Sequence, residues 1–203
     1  MAFAALVVLG YLLGSCPWGY WLVRVVKHED IRHVGSGNIG ATNVWRTYGR
    51  GLGLPVVVLD VLKGFVPALL GMLFVSPPHL AGICAGGAAM LGHWRPIFLR
   101  FERGGKTVAT CGGAFLGLAP AVGGIGLGIW IAVFLLVRYA SVASMVAALS
   151  LPAVAAAIGE PWPVIVFGAL AFLDVLLLHR ANIARLRAGT ENRFRFGREA
   201  PAR

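Results

Sequence analysis

The sequence predicts an all-α integral membrane protein, a bundle of seven transmembrane helices with its N-terminus outside and its C-terminus cytoplasmic. Three observations predict it. Of 203 residues, 58% are hydrophobic and 13% charged, against about 25% charged in an ordinary soluble domain. The apolar residues fall in long runs with almost no charge inside them, as a hydrocarbon core requires. The basic residues gather between alternate runs, which fixes orientation.

The first run covers residues 2–25, with Gly10 and Gly14 spaced to let another helix approach. No basic segment precedes it, and Arg24 and Lys27 stand at its far end. That pattern reads as a retained first span rather than a cleaved signal peptide. A polar loop follows from Lys27 to Arg50, then a second run over 54–75, closed by Ser76, Pro77 and Pro78. The third covers 80–99 and ends in a basic loop from Arg100 to Lys106.

Residues 107–137 contain no charge at all. At about 1.5 Å per residue such a helix would far exceed a hydrocarbon core of about 30 Å. Pro120 and the Gly123–Gly124 pair divide it into spans over 107–119 and 121–137. The sixth span covers 142–158, turned by Glu160 to Pro163, and the seventh 164–178. A basic tail occupies 179–203 and completes a single polytopic domain over 1–203.

Charge supports this division. With seven spans, Arg24, Lys27, Arg32, Arg46 and Arg50 fall inside, as do Arg95, Arg100, Arg103 and Lys106. Arg138 and the seven arginines of the tail join them, and the outside turns hold no Lys or Arg. Six spans would put Arg138 outside. The net charge of +10 therefore reads as topology and attraction for anionic headgroups or a phosphorylated substrate, not as nucleic-acid binding.

The segment from Gly35 to Arg46 (Gly-Ser-Gly-Asn-Ile-Gly-Ala-Thr-Asn-Val-Trp-Arg) cannot bury itself. Its glycines Gly35, Gly37 and Gly40 are expected to turn backbone N–H groups toward an anion. No strand precedes it, so the dinucleotide-fold reading of its G-x-G-x-x-G fails. Arg103, Gly104, Gly105 and Lys106 open the fourth span, where a helix N-terminus and a lysine favour phosphate. Arg100 stands where a P-loop needs its first glycine, which argues against nucleotide hydrolysis. Asp60 and Lys63 lie one turn apart within the second span. Charges there cost roughly 2.5–3.5 kcal/mol each on insertion scales, so the two are expected to pair. Alternatively, Lys63 lines the inner end of a polar cavity. His93 closes span three in His-Trp-Arg-Pro, Ser141 and Ser144 share a face, and so do His179 and Asn182. Cys16, Cys84 and Cys111 have no metal spacing, and no metal or cofactor is expected.

Every polar constellation falls on the inner face. Such a site suits an enzyme joining a hydrophobic donor to a small anionic acceptor. A transporter would show broken helices and polar residues near the midplane. Its rivals are a membrane transporter or binding protein for a phosphorylated metabolite, and a scaffold for a soluble enzyme.

Gly35–Arg46, Asp60–Gly64, Gly92–Pro96, Gly104–Lys106 and His179–Glu191 occur in this order over nearly the whole chain. In this the chain resembles the bacterial acyl-phosphate:glycerol-3-phosphate acyltransferases, the PlsY family. The resemblance implies a seven-helix enzyme of the bacterial inner membrane with its active site on the cytoplasmic face. It implies acyl transfer from acyl phosphate to the 1-hydroxyl of glycerol 3-phosphate, giving lysophosphatidic acid and phosphate. A soluble partner enzyme would make the acyl phosphate. Ser36, Arg46, Lys106, His179 and Asn182 are then the catalytic candidates. Gly35, Gly37, Asn38, Gly40, Thr42, Asn43, Lys63, Gly104, Gly105 and Ser144 are the binding candidates, with Glu191 and Asp60 structural. The sequence departs from the family's Lys-Gly-Gly-Lys-Gly at two places: Arg103 keeps the charge, and Thr107 replaces a glycine.

Overall fold

The computed structural model describes residues 1–194; Arg195, Arg198 and Arg203 of the basic tail lie outside the described residues. Among those described the secondary structure is helical, without a strand. Helix α1 (Ala2–Gly14) and α2 (Trp18–Lys27) form the first apolar stretch. Pro17 interrupts it, because proline has no N–H to continue the ladder, yet the two helices still read as one 26-residue candidate span. Helix α3 (Ala41–Tyr48) lies in the first polar loop and leads through Gly49 into α4 (Arg50–Phe74). Then come α5 (Pro78–Trp94), α6 (Val108–Leu118), α7 (Pro120–Val137), α8 (Ala140–Ala157), α9 (Trp162–Leu178) and α10 (Arg180–Arg187).

The long uncharged run breaks at Ala119 and Pro120. Pro120 forces the preceding residue out of helical geometry, and Ala119 has φ −144°. Helix α6 has 11 residues, about 16 Å of rise, well short of a core of about 30 Å. Four stretches are long and apolar enough to cross a membrane alone: Ala2–Lys27, Arg50–Phe74, Pro120–Val137 and Ala140–Ala157. Helices α9 and α10 make a fifth if their 58° bend is allowed within one span.

Close backbone approach builds the bundle. Helix α6 packs most extensively on α4 and also meets α5 and α7; α8 joins α7 to α9. A Cβ on Gly64 would overlap the Thr110 carbonyl, and one on Gly113 the Val61 carbonyl. Gly10 and Gly14 likewise lie against the carbonyls of Ala85 and Ala89, so the predicted small-residue pair brings α1 onto α5. Phe115 is fully buried and stacks on Phe167 at 5.1 Å, at the centre of the largest apolar cluster. Leu73, Leu127, Leu136, Leu170 and Leu177 face outward, each at least half exposed. An apolar exterior of this kind suits lipid and not water.

Candidate active site

The first polar loop is held by one buried side chain. Asn43 Oδ1 accepts from the Ser36 amide at 2.9 Å, and its Nδ2 donates to the carbonyls of Val34 and Asn38 at 3.0 and 2.9 Å. The Gly37 amide donates to the Val34 carbonyl, and that of Gly40 to Asn38 Oδ1. Three amides of the expected anion nest, those of Ser36, Gly37 and Gly40, are thus engaged within the loop. Its glycines serve the turn. Gly35 and Gly37 have φ +63° and +69°, and a Cβ on Gly35 would overlap Asn43 Oδ1. What the loop presents is side chains: Ser36 and Thr42 exposed at a cavity rim, and Arg46 from α3 deeper inside. Arg46 Nε is buried with no hydrogen-bond partner among the described residues.

The second cation comes from the start of α6. The amides of Gly104 and Gly105 donate to the carbonyls of Trp94 and His93, which bends the loop back onto the end of α5. A Cβ on Gly105 would strike the His93 ring. Lys106 points the other way and donates from Nζ to Asn182 Oδ1 at 2.5 Å. The opening turn of α6, with Val108 and Ala109, lines the same cavity and carries the helix's unpaired N–H groups.

The third component is the bend between α9 and α10. His179 is buried, and its Nδ1 lies 2.7 Å from the Val175 carbonyl. A carbonyl only accepts, so Nδ1 carries the proton and Nε2 is left as an acceptor. Asn182 donates from Nδ2 to Glu191 Oε1 at 2.6 Å. Glu191 also accepts from Ser141 Oγ at 2.9 Å and Arg185 Nε at 2.7 Å, tying α8, α10 and the tail together.

These groups surround one cavity of about 520 Å³. Ser36, Arg46, Lys106, His179 and Asn182 line it, together with the apolar side chains of Leu54, Val57, Leu116, Leu127, Trp130 and Leu151. Phe194 stands edge-on to Trp45 and Phe134, with centroids at 6.3 and 5.3 Å, within the same lining.

Electrostatics follow from burial. Lys106 is pushed down to about 8 by burial, then by the charge of Arg185. Burial also pulls Arg46 below its ordinary value, with Glu191 acting the other way, yet a guanidinium stays charged at any working pH. His179 is driven down to about 4 by burial and then by Lys106, against the Val175 carbonyl. Burial raises Glu191, but hydrogen bonds from Asn182, Ser141 and Arg185 outweigh it and leave the carboxyl below its ordinary value. Among the described residues neither Arg46 nor Lys106 has a carboxylate within ion-pair distance. No group of three His, Cys, Asp or Glu among them could hold a metal ion.

The family model for glycerol-3-phosphate acyltransferase matches residues 4–189. The chain belongs to that family. A glycerol-3-phosphate acyltransferase from Desulforudis audaxviator is 48% identical over 197 residues, covering 96% of this chain and 98% of its own. One from Syntrophomonas wolfei is 46% identical, with 93% and 95% covered. Two crystal structures of PlsY, an integral membrane glycerol 3-phosphate acyltransferase, superpose on 96% of both chains. The glycerol 3-phosphate form gives a TM-score of 0.90 at 38% identity, and the lysophosphatidic acid form 0.87 at 36%.

Within this acyltransferase the predicted residues separate into three groups. All five catalytic candidates line the cavity, and so do Asn38, Gly40, Thr42, Asn43, Ser144, Asp60 and Glu191. Gly35, Gly37, Gly104 and Gly105 do not line it; they shape the backbone that presents their neighbours. Lys63 is the clearest correction. Buried on α4, it pairs with Asp60 Oδ1 at 2.7 Å and donates to the Cys16 carbonyl at 3.1 Å, and it does not line the cavity. Asp60, expected to be structural, is the member of the pair that reaches the cavity. Ser144 lines the cavity, but its hydroxyl donates to the Ala140 carbonyl and accepts from Trp130 Nε1, so it holds a wall.

Sequence reasoning missed Ser141 as a Glu191 donor, Arg185, the aromatic wall and Asp174 of the acyltransferase. Asp174 Oδ2 accepts from Thr107 Oγ1 at 2.6 Å. A lone acid inside the run 164–178 was the signal that could have found it.

Proposed function

We propose that the protein acylates the 1-hydroxyl of glycerol 3-phosphate, taking the acyl group from an acyl phosphate and giving lysophosphatidic acid and inorganic phosphate. One observation carries this reading: a single cavity is lined both by two cations that, among the described residues, have no carboxylate within ion-pair distance and by apolar side chains. Both substrates fit that lining, each having an anionic phosphate, and one a hydrocarbon chain.

In this reading Arg46 and Lys106 hold the phosphates and offset the charge that builds as phosphate departs. The glycerol hydroxyl attacks the acyl carbonyl, the new ester bond forms, and the bond to the phosphate oxygen breaks. Arg46 Nε, a buried donor with no partner among the described residues, is suited to the carbonyl oxygen as it gains charge. With the Ser36, Gly37 and Gly40 amides engaged, loop one offers the glycerol phosphate the Ser36 and Thr42 side chains at the rim.

The hydroxyl proton goes to phosphate. At about 4, His179 is a weak acceptor at neutral pH, whereas a phosphate monoester has its second pKa near about 6. His179 Nε2 orients the glycerol by accepting from its 2-hydroxyl, and the 1-hydroxyl proton leaves on inorganic phosphate.

The finer topology belongs to the same proposal. Seven helical passes, with α6 among them, put the starts of α4, α6 and α8 and the ends of α7 and α9 on the cytoplasmic side of the bacterial inner membrane. The Lys and Arg distribution supports it, and so does the Lys106–Asn182 contact between the two ends. A soluble enzyme making acyl phosphate would deliver its product to that side.

The test is an assay of the protein in lipid, with glycerol 3-phosphate and either palmitoyl phosphate or palmitoyl-CoA. Lysophosphatidic acid is expected from the phosphate donor alone, falling at least 100-fold, an order-of-magnitude figure, in Arg46→Ala. Product from palmitoyl-CoA only would overturn the donor assignment, and product from neither would overturn the reaction.

A further inference from the structure

We infer that Asp174 is a positioning residue: its hydrogen bond with Thr107 clamps the backbone at the start of α6 and so fixes where the Lys106 ammonium meets glycerol 3-phosphate. The inference rests on the acyltransferase reading above.

The clamp is visible in three observations. Thr107 has φ +63°, in the left-handed region, and it is almost completely buried. A β-branched side chain there is a steric outlier that persists only where its surroundings over-determine it. The Thr107 hydroxyl lies 2.6 Å from Asp174 Oδ2 and also 2.6 Å from the carbonyl of Lys106. The carbonyl of Thr107 accepts the Cys111 amide at 2.7 Å, the first bond of α6. The side chain is thus held from α9 while the backbone turns from the loop into the helix.

Asp174 itself needs an explanation. It lies on α9 within an apolar run, where an acid is costly. Among the described residues it has no salt bridge. Its carboxylate accepts a hydrogen bond from the Thr107 hydroxyl. The next residue, Val175, offers the carbonyl that holds His179 Nδ1. Successive loop residues therefore reach successive parts of the C-terminal helices: Thr107 to Asp174, and Lys106 to Asn182. Lys106 is free to exchange Asn182 for a phosphate oxygen while the neighbouring clamp keeps the loop in place.

The test is a cycle of kinetic constants on the full-length protein in lipid. Asp174→Ala is expected to raise KM for glycerol 3-phosphate about tenfold, the scale of one hydrogen bond to a charged group, with kcat changed much less. Thr107→Val, which keeps the shape and loses the hydroxyl, is expected to do the same. Asp174→Asn, which keeps an acceptor oxygen, should restore most of the affinity. In a Thr107→Gly background no strained side chain remains to be held. Adding Asp174→Ala there should shift KM less than about twofold relative to Thr107→Gly alone.

An unchanged KM in both Asp174→Ala and Thr107→Val overturns the inference. So does an equal shift in the Thr107→Gly background, or a loss of thermal stability without a change in KM. A wild-type protein that makes no lysophosphatidic acid would instead overturn the reading beneath it.

Discussion

At the scale of single residues, the site depends on two cations whose environments differ. Arg46 keeps its charge at any working pH, whereas Lys106 is pushed down to about 8. Below that value both are charged; above it Lys106 loses its proton and its hold on phosphate. KM for glycerol 3-phosphate is therefore expected to climb from about pH 8 upward, and Lys106→Arg should flatten the climb. Stability runs the other way. Between about 8 and the ordinary value of 10.5 the unfolded chain binds the extra proton, so neutralising Lys106 stabilises the unliganded fold as pH rises. His179 gives a second prediction. If phosphate takes the proton, His179→Ala lowers kcat/KM but leaves an acid limb near about pH 6 in the pH profile. Disappearance of that limb would make the imidazole the base. The sequence singled out Arg46, Lys106, His179 and Asn182 as polar groups flanking apolar runs, and the structure brings all four to one cavity. It did not show which member of the Asp60–Lys63 pair faces the cavity, since a shared helical face leaves the tilt of each side chain open. Nor did it show that Asn43 takes up the Ser36 amide and ties the loop carbonyls of Val34 and Asn38, which depends on how the turn closes in space.

At the scale of elements, α6 is the piece on which the others depend. It carries Lys106 at its mouth and Phe115 in the core, and it lies against α4 by backbone contact. Gly113→Leu would force these helices apart at the Val61 carbonyl. Overpacking of this kind costs about 1–3 kcal/mol, so a lower melting temperature in detergent is expected together with weaker acyl transfer. An unchanged melting temperature would mean that the contact is not a determinant of packing. The break before α7 was legible in advance, because Pro120 is a local signal that no packing can override. The break at Pro17 went unread, because hydropathy carries straight through it. The extent of α6 was close to legible, since the expected 107–119 differs from Val108–Leu118 by a residue at each end; its being walled in by α4, α5 and α7 was not, because an uncharged run does not name its neighbours.

At the scale of the molecule, an apolar exterior surrounds one cavity lined by both charged and apolar side chains. Positive charge was enough to predict which ends belong together, and the Lys106–Asn182, Ser141–Glu191 and Thr107–Asp174 bonds bring those ends within reach of one another. Orientation can be checked directly. With the native cysteines replaced, Gly159→Cys is expected to react with an impermeant thiol reagent from outside intact cells, and Arg187→Cys only after lysis. Reaction of Arg187→Cys in intact cells would reverse the topology. Whether the cavity performs chemistry or only passes a phosphorylated metabolite is the central question. Its most direct test is to follow labelled glycerol 3-phosphate in proteoliposomes holding the protein and palmitoyl phosphate. The account predicts label in the lipid-extractable fraction as lysophosphatidic acid, dependent on the acyl phosphate and lost with Arg46→Ala. Label that accumulates unchanged in the lumen, with none in lipid, would contradict it.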